Sequence, residues 1–294
     1  MTPFTGLSVA LATPFTPSMD VDLPAFRRLV RHVAAGGAQH LVVLGSTGEA
    51  ATLLEAERDA LVAASLEEAG SASVVVGTGS NATRQAAAWT RRAQELGAHG
   101  ALVVTPYYNK PTPDGLVAHF QEVTQAAPGL PVIIYNVPGR TGLNLAPATL
   151  ARLWQNPQLV AVKESSGNLA QIGEIARTLP TGKTLLSGDD NLALASIAVG
   201  ASGLVSVIGN VLPAETRRLV DLALAGRRGE AMALHHALLP LMDALFLESN
   251  PIPTKAALAL KGICGDTLRL PLVAANPATR ARLAELLGAG IGVA

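Results

Sequence analysis

Cysteine is nearly absent from this sequence, and neither sign of charge is in excess. The one cysteine, Cys264, can form no disulfide within the chain, and its Gly-Ile-Cys-Gly setting offers neither a base nor a metal ligand. Lysine plus arginine and aspartate plus glutamate number 22 each, so no basic surplus is available to bind nucleic acid or a lipid surface. We therefore expect neither of these partners, and we expect a reducing, cytoplasmic location.

Targeting signals and membrane-spanning runs are also lacking. The N-terminus has neither the basic region nor the small-residue cleavage pattern of a signal peptide. The stretch 191–214 carries no charge, but its glycines, proline and polar residues argue against a membrane span. A buried helix followed by a buried strand explains this stretch better.

The sequence does contain a regular alternation of short apolar runs with amphipathic stretches, which is typical of βα units around a parallel sheet. The predicted strands lie near 7–12, 40–44, 73–77, 100–104, 131–135, 159–163, 183–187 and 202–207. The helices that follow them lie near 23–35, 54–69, 82–96, 114–127, 147–154, 169–178, 190–199 and 213–225. Eight strands, each followed by a helix, favour a TIM barrel over a doubly wound sheet.

The pattern changes after residue 226. Helices without intervening strands are predicted near 228–247, 253–262 and 277–288. The predicted fold class is therefore α/β, with a (β/α)8 TIM barrel over 1–225 and a C-terminal helical extension over 226–294. Within the barrel, helix starts are predicted at a capping box from Thr52 to Glu55 and at Asn81 and Asn168.

The leading candidate for chemistry is Lys163, at the carboxyl end of a predicted strand. The run from Leu159 to Val162 is typical of a strand buried on both faces. A lysine held out of water there can serve as a neutral amine that attacks a carbonyl carbon and forms a Schiff base. The alternative is an ordinary strand-end lysine whose ammonium group reaches water, and this stretch alone does not decide between the two.

Polar residues follow four other strands at the same point. They occupy 45–49, 105–111, 135–142 and 187–190. In a barrel these strand ends meet at one face, which holds the active site. This convergence favours the Schiff-base interpretation of Lys163.

Hydroxyl groups near Lys163 are candidates for a proton relay. They belong to Tyr135, Ser46 and Tyr108, although single tyrosines at a barrel mouth are more often packing residues. The loop 45–48 could hold a small carboxylate through backbone N–H groups, and Arg140 could bind a second carboxylate.

Metal and cofactor motifs are not found. The six histidines show no metal-ligand spacing, and the adjacent His235 and His236 would point in different directions on a helix. No nucleotide-binding loop of the P-loop or dinucleotide type is present. We expect no metal and no cofactor.

With these residues in hand, the sequence resembles the dihydrodipicolinate synthase / N-acetylneuraminate lyase family of class I, Schiff-base lyases. The resemblance spans the whole length, and its motifs are Gly45 to Glu49, Tyr135 to Gly142 and Val162 to Asn168. It implies a (β/α)8 barrel with a helical C-terminal extension, usually a homotetramer, that binds pyruvate as an imine on Lys163.

Arg140 and the stretches 248–255 and 267–271 resemble the synthase branch of that family. The implied reaction condenses pyruvate with L-aspartate 4-semialdehyde to 4-hydroxy-tetrahydrodipicolinate in lysine and diaminopimelate biosynthesis. The implied catalytic residues are Lys163, Tyr135, Ser46 and Tyr108, the last entering from a neighbouring subunit. The implied substrate-binding residues are Thr47, Arg140, Gly188 and Val205.

Ser46 departs from the synthase pattern, which usually has threonine there, and it resembles the sialic-acid lyase branch. One alternative is therefore a pyruvate-dependent aldolase or lyase for a 2-keto-3-deoxy sugar acid or N-acetylneuraminate. The other is a ligand-binding barrel without activity, because a fold alone does not fix a function. The presence of Lys163, Tyr135 and Tyr108 argues against the second alternative.

The resemblance also implies a pocket for the effector lysine at a dimer interface. The matching positions are Ala51, Glu55, Asn81, Gln85 and Tyr107. Glu55 and Arg58 replace two usual histidines, and Gln85 replaces a usual glutamate. Because Gln85 lacks a carboxylate to pair with an ammonium group, we expect weak or absent inhibition by lysine.

Overall fold

The computed structural model describes residues 4–289, in which eight parallel strands form a closed barrel in chain order. The strands are β1 (Gly6–Ala10), β2 (His40–Val43), β3 (Ser73–Gly77), β4 (Gly100–Val104), β5 (Val132–Asn136), β6 (Leu159–Glu164), β7 (Thr184–Ser187) and β8 (Gly203–Ser206). The predicted barrel is confirmed, and β3 and β4 have the predicted limits. Residues 1–3 and 290–294, which belong to the two predicted regions, lie outside the described residues.

The barrel closes where β1 pairs with β8 as well as with β2. Gly6 lies opposite Gly203 at this seam. A Cβ atom on Gly203 would lie 2.3 Å from the Gly6 carbonyl oxygen, so only glycine fits there.

Alternate strand residues fill the barrel interior. Members of this interior cluster are Ala10, Val42, Val75, Leu102, Ile133, Tyr135, Ala161, Leu186 and Val205. Other strand residues pack outward against the helices in two larger clusters. Because both faces of the strands are buried, the strands appear in the sequence as nearly continuous apolar runs.

The helices surround the barrel and continue past its last strand. They are α1 (Leu23–Ala35), α2 (Glu55–Glu68), α3 (Thr83–Glu95), α4 (Pro113–Ala126), α5 (Pro138–Thr141), α6 (Pro147–Leu153), α7 (Leu169–Thr178), α8 (Ala193–Ala198), α9 (Pro213–Leu224), α10 (Arg228–Ala244), α11 (Ile252–Leu260) and α12 (Pro277–Gly288). The one-turn helix α5 was not predicted. The predicted helix 190–199 is instead a 3-10 turn followed by the short α8.

The predicted capping box from Thr52 to Glu55 is wrong. Helix α2 begins at Glu55, and the Glu57 carboxylate accepts a hydrogen bond from the Leu54 N–H at 2.8 Å. The Thr52 hydroxyl instead donates to a backbone carbonyl three residues earlier. Only the glutamate half of a capping box is therefore present, two residues later than the sequence motif suggested, because the Leu54 side chain has no atom that can accept a hydrogen bond.

The two asparagine caps have different outcomes. The cap of α3 is Ala82 and not Asn81, and the Ala82 N–H donates to the Ser80 hydroxyl at 3.1 Å. The Asn168 side chain accepts from the Gln171 N–H at 3.2 Å at the start of α7, as predicted.

The helices after the barrel contact the barrel mouth through a buried ion pair. Lys255 Nζ in α11 lies 2.7 Å from Glu49 Oε1 in the loop after β2, and both side chains are fully buried. The second Glu49 oxygen accepts from the Arg269 N–H at 3.0 Å. Lys255 also lies over the Phe15 ring, 4.2 Å from its centre. These contacts join the helical extension to a loop that also contains predicted site residues.

The charge-free stretch 191–214 forms α8 and β8, a helix followed by a strand as predicted. In residues 4–289 no helix has both the length and the hydropathy required to cross a membrane.

Candidate active site

Lys163 and Tyr135 lie side by side inside the barrel at the ends of β6 and β5. The two residues are paired in the strand register, and Lys163 Nζ lies 4.1 Å from the centre of the Tyr135 ring. Both are buried, with Lys163 only 5% exposed. The amine and the phenol are therefore close enough to act on the same small molecule.

Two carboxyl groups lie near this lysine, Asp189, which is half-buried, and Asp190, which is fully buried. Burial raises the pKa of Asp189 to about 6, and the positive charge of Lys163 opposes that rise. Burial also raises the pKa of Asp190, whose carboxylate accepts from Ser206 Oγ at 2.6 Å and from the Val207 N–H at 2.9 Å. These acids lie in the loop after β7, so the loop supplies negative charge beside the lysine.

Gly188 lies directly against Lys163. A Cβ atom at this position would lie 2.8 Å from Lys163 Cε and 1.8 Å from Ser165 Oγ. A side chain would therefore displace the lysine, and glycine leaves room for it. This contact places Gly188 beside Lys163, and its role in substrate binding stays a prediction.

The loop after β2 places Ser46 and Thr47 in different settings. Ser46 is exposed and lines a cavity, whereas Thr47 is buried. The N–H groups of Gly48 and Glu49 close the turn onto the carbonyls of Gly45 and Ser46. In residues 4–289 the N–H groups of Ser46 and Thr47 donate to no protein acceptor, so both are available to a ligand.

A cavity of about 190 Å³ opens at this face of the barrel, and most of its wall is apolar. Its polar or aromatic lining residues are Ser46, Arg58, Trp89, Tyr107, Tyr135, Arg140 and Thr141. Arg140 comes from α5, where the one-turn helix after β5 carries it to the rim. Its Nη2 donates to the Asn250 carbonyl oxygen at 3.1 Å.

Two predicted site residues behave differently from the others. Val205 on β8 is fully buried in the barrel interior cluster. Tyr108 is 87% exposed and has a left-handed backbone with φ of 69°, whereas Tyr107 lines the cavity. Within one chain, the structure does not bring Tyr108 to Lys163.

The residues of the predicted effector pocket are only partly brought together. Ala51 and Tyr107 line the same cavity as Arg58. Glu55 instead accepts a hydrogen bond from Trp89 Nε1 at 3.2 Å. Asn81 and Gln85 are half-buried and do not line that cavity.

Arg58 lies in the wall of the cavity. Its guanidinium lies 3.9 Å from the centre of the Trp89 ring and donates to the carbonyls of Gly77 at 3.0 Å and Ala50 at 3.2 Å. Burial lowers its pKa to about 10, which still leaves it charged at neutral pH. It forms no ion pair with Glu55 in the part of the chain that the structure describes.

Sequence reasoning missed three polar groups that support the site. Asn250 donates to Thr47 Oγ1 at 2.9 Å, and Asn136 donates to the buried carboxylate of Glu164 at 3.0 Å. The pair of Lys255 and Glu49 was also missed. The sequence offered one signal for Asn136 and Glu164, which is that they directly follow Tyr135 and Lys163. In residues 4–289 no group of three or more His, Cys, Asp or Glu side chains is arranged to hold a metal ion.

Together these features define the class of protein: a (β/α)8 barrel with a buried strand-end lysine beside a tyrosine that lines an apolar cavity, an arrangement suited to imine chemistry on a small carbonyl compound. Comparison with known proteins gives the family. The model of the dihydrodipicolinate synthetase family matches residues 3–289, and the chain belongs to this family.

Individual relatives agree over nearly the whole chain. The sequence is 44% identical to a 4-hydroxy-tetrahydrodipicolinate synthase of Cyanothece sp., over 98% of each chain. The structure is similar to dihydrodipicolinate synthase from Aquifex aeolicus, with a TM-score of 0.94, 41% identity and coverage of 97% of this chain and 98% of that one. It is also similar to a chloride-inhibited dihydrodipicolinate synthase from Acinetobacter baumannii complexed with pyruvate, with a TM-score of 0.94, 36% identity and coverage of 97% and 98%. The family resemblance inferred from the motifs is confirmed.

Proposed function

We propose that this protein is a lyase that condenses pyruvate with L-aspartate 4-semialdehyde to 4-hydroxy-tetrahydrodipicolinate, in lysine and diaminopimelate biosynthesis. The observation that carries the proposal is the buried contact between Lys163 Nζ and the Tyr135 ring. Membership of the dihydrodipicolinate synthetase family supports the same reaction.

The first half of the reaction makes an imine. The Lys163 amine attacks the keto carbon of pyruvate, and a C–N bond forms while the carbonyl oxygen takes up a proton. Tyr135 is positioned to deliver the proton that lets this oxygen leave as water. Ser46 lines the same cavity as Tyr135 and joins the relay that resupplies the proton.

The second half makes the carbon–carbon bond. Loss of a proton from the pyruvyl methyl group gives an enamine, whose carbon attacks the aldehyde carbon of the semialdehyde. The amino group of the joined product then attacks the imine carbon, so that a cyclic imine forms and Lys163 leaves as the free amine. One water is released overall, at imine formation, and no external oxidant or reductant is needed.

Two groups of residues would hold the two substrates. The free N–H groups of Ser46 and Thr47 suit the pyruvate carboxylate. Gly188 lies beside Lys163, and Val205 lies in the barrel interior. The pyruvate carbons would lie in this part of the barrel. Arg140 at the cavity rim would bind the carboxylate of the semialdehyde in a charge-assisted contact.

The exposure of Tyr108 supports assembly with other copies of the chain. An 87% exposed tyrosine beside a cavity-lining tyrosine is suited to enter the site of a neighbouring subunit. We therefore propose that the protein forms a homotetramer and is located in the cytoplasm. Each subunit would have two regions, the barrel and the C-terminal helices.

The test is reductive trapping. Borohydride added with pyruvate should add the mass of a reduced pyruvyl group to the peptide that contains Lys163. Lys163→Ala should abolish the label, while Lys110→Ala, a change at an exposed lysine of the loop after β4, should retain it. Turnover with pyruvate plus aspartate semialdehyde, compared with sugar-acid aldehydes, tests the second substrate. Labelling at another lysine, or none, would overturn the mechanism.

A further inference from the structure

The strand β6 contains one residue more than its neighbour β5 requires. Val132 on β5 pairs with Leu159, but the next residue, Ile133, pairs with Ala161. Val160 is therefore an extra residue, a β-bulge. Bulges of this kind re-aim the side chains that follow them.

The extra residue decides which way Lys163 points. Leu159 packs in the outer cluster, while Val160 and Ala161, two successive residues, both pack toward the barrel interior. From Ala161 onward the alternation resumes, with Val162 outward and Lys163 inward beside Tyr135. Strict alternation from Leu159 would have placed residue 163 on the outer face.

A hydrogen-bonded pair of side chains also holds the pairing of β5 with β6, at the carboxyl ends of these strands. Tyr135 pairs with Lys163 on the inner face, and the next pair, Asn136 and Glu164, lies outside the barrel wall. Asn136 Nδ2 donates to both Glu164 carboxylate oxygens, at 3.1 and 3.0 Å. Both residues are fully buried. The hydrogen-bonded pair therefore lies at the strand position directly after the lysine and tyrosine.

The Glu164 carboxylate is an unusual group to bury. In residues 4–289 it forms no ion pair, and burial raises its pKa while hydrogen bonds from its neighbours oppose that rise. One such bond comes from the Ser166 N–H, at 2.9 Å. The Asn136 side chain is also fixed, since its Oδ1 accepts from the Leu145 N–H at 2.9 Å. An apolar pair would pack here without the desolvation cost, but it would not be directional.

We infer that Val160, Asn136 and Glu164 form a register lock, in which Asn136 and Glu164 are positioning residues that hold Lys163 level with Tyr135 inside the barrel. The inference rests on the proposed function, since the lock orients a lysine that forms an imine. A small displacement of the end of β6, well short of a whole-residue shift, would leave the fold in place while moving the amine relative to the phenol. A displacement of about 1 Å can slow such a reaction about 100-fold.

The experiment measures the rate constant and the amplitude of pyruvate trapping by borohydride. Unfolding lowers the amplitude, because fewer sites react, whereas displacement of Lys163 lowers the rate constant of the sites that remain. Glu164→Ala and Asn136→Ala should lower the rate constant about 10–100-fold. Glu164→Gln, which keeps an oxygen to accept from Asn136 and Ser166, should restore part of it.

Asn210→Ala is the matched control. Asn210 is equally buried and bonds the backbone of β1 and the residues after it, at Ala10 O and Ala12 N. This variant should lose stability and amplitude but keep the rate constant. Label on wild-type Lys163 with unchanged rate constants in Glu164→Ala and Asn136→Ala would overturn the lock alone, whereas an unlabelled wild type would overturn the proposed function as well. If Glu164→Ala does not fold, Glu164→Gln and Asn136→Ala decide the question.

Discussion

Asn250 donates its side-chain N–H to Thr47 Oγ1 across 2.9 Å, although 203 residues separate the two in the chain. The backbone carbonyl oxygen of Asn250 also accepts from Arg140. One residue of the helical extension therefore contacts both groups proposed to bind substrate carboxylates. Thr254 in turn donates to Asn250 Oδ1 at 2.9 Å.

Asn250→Ala should raise the KM for pyruvate about 5–30-fold, because a buried hydrogen bond worth about 1–2 kcal/mol that orients Thr47 is lost. The change in kcat should be smaller. Steady-state kinetics with each substrate varied in turn measures both. Thr254→Val, which removes only the support of Asn250, should give a weaker effect in the same direction. An unchanged KM for pyruvate would show that Thr47 is held without Asn250.

Arg140→Ala should lower kcat/KM for the semialdehyde about 10–150-fold, because loss of a charge-assisted contact to a carboxylate costs about 1.5–3 kcal/mol. Borohydride trapping of pyruvate should survive, since Arg140 is assigned to the second substrate. Lys110→Ala changes a neighbouring positive charge and serves as the control. Normal kinetics for the semialdehyde in Arg140→Ala would exclude Arg140 from its binding.

Mixed oligomers should reveal whether Tyr108 acts in the site of a neighbouring subunit. Because Tyr108 is exposed in its own chain, inactive Tyr108→Phe and Lys163→Ala subunits should complement each other in hybrids. The measurement is activity after subunit exchange, compared with each parent treated alone. As a control, Tyr107→Phe subunits are mixed with Lys163→Ala subunits, because Tyr107 lines the cavity of its own chain. Hybrids no more active than their parents would argue against a shared site.

Lysine should inhibit weakly or not at all, with half-inhibition above about 1 mM, a binding energy weaker than about 4 kcal/mol. Gln85 supplies no carboxylate, and the Glu55 carboxylate already accepts from Trp89. Initial rates with both substrates near KM measure the effect. Gln85→Glu should strengthen inhibition by up to about a hundredfold, since it restores a charge-assisted partner for an ammonium group. Strong inhibition of the unchanged protein would show that the altered pocket is sufficient.

His119 should make the fold sensitive to acid. Burial lowers its pKa to about 4 from an ordinary 6.5, so below pH 6.5 the unfolded chain takes up a proton that the folded chain does not. Stability is therefore lost as the pH falls from 6.5 towards 4, by roughly 2–4 kcal/mol from this group, and is unaffected by it above 6.5. Urea unfolding of His119→Gln across this range should show a shallower loss. Parallel pH curves for the two proteins would contradict the assignment.

Particular residues show how far the sequence could go. The strands and most helices follow from local patterns of apolar residues, and the Asn168 cap follows from a side chain that reaches a backbone N–H three residues away. The capping box failed because two candidate glutamates lie two residues apart, and the geometry of the turn selects Glu57 over Glu55. The placement of Lys163 and Tyr135 at the same site could be predicted because parallel strand ends meet at one face of a barrel.

What the sequence by itself determined is therefore local or repetitive: the alternation of strands and helices, the barrel it implies, and the placement of polar loops at one face. Only the tertiary structure decided the bulge at Val160, since an extra residue is defined by the partner strand. It alone also joined Asn250 to Thr47 and buried Lys255 against Glu49, because no local pattern records a contact between residues about two hundred positions apart. Such contacts form only once the barrel has closed and the C-terminal helices pack on its mouth, where desolvation makes each polar pair specific.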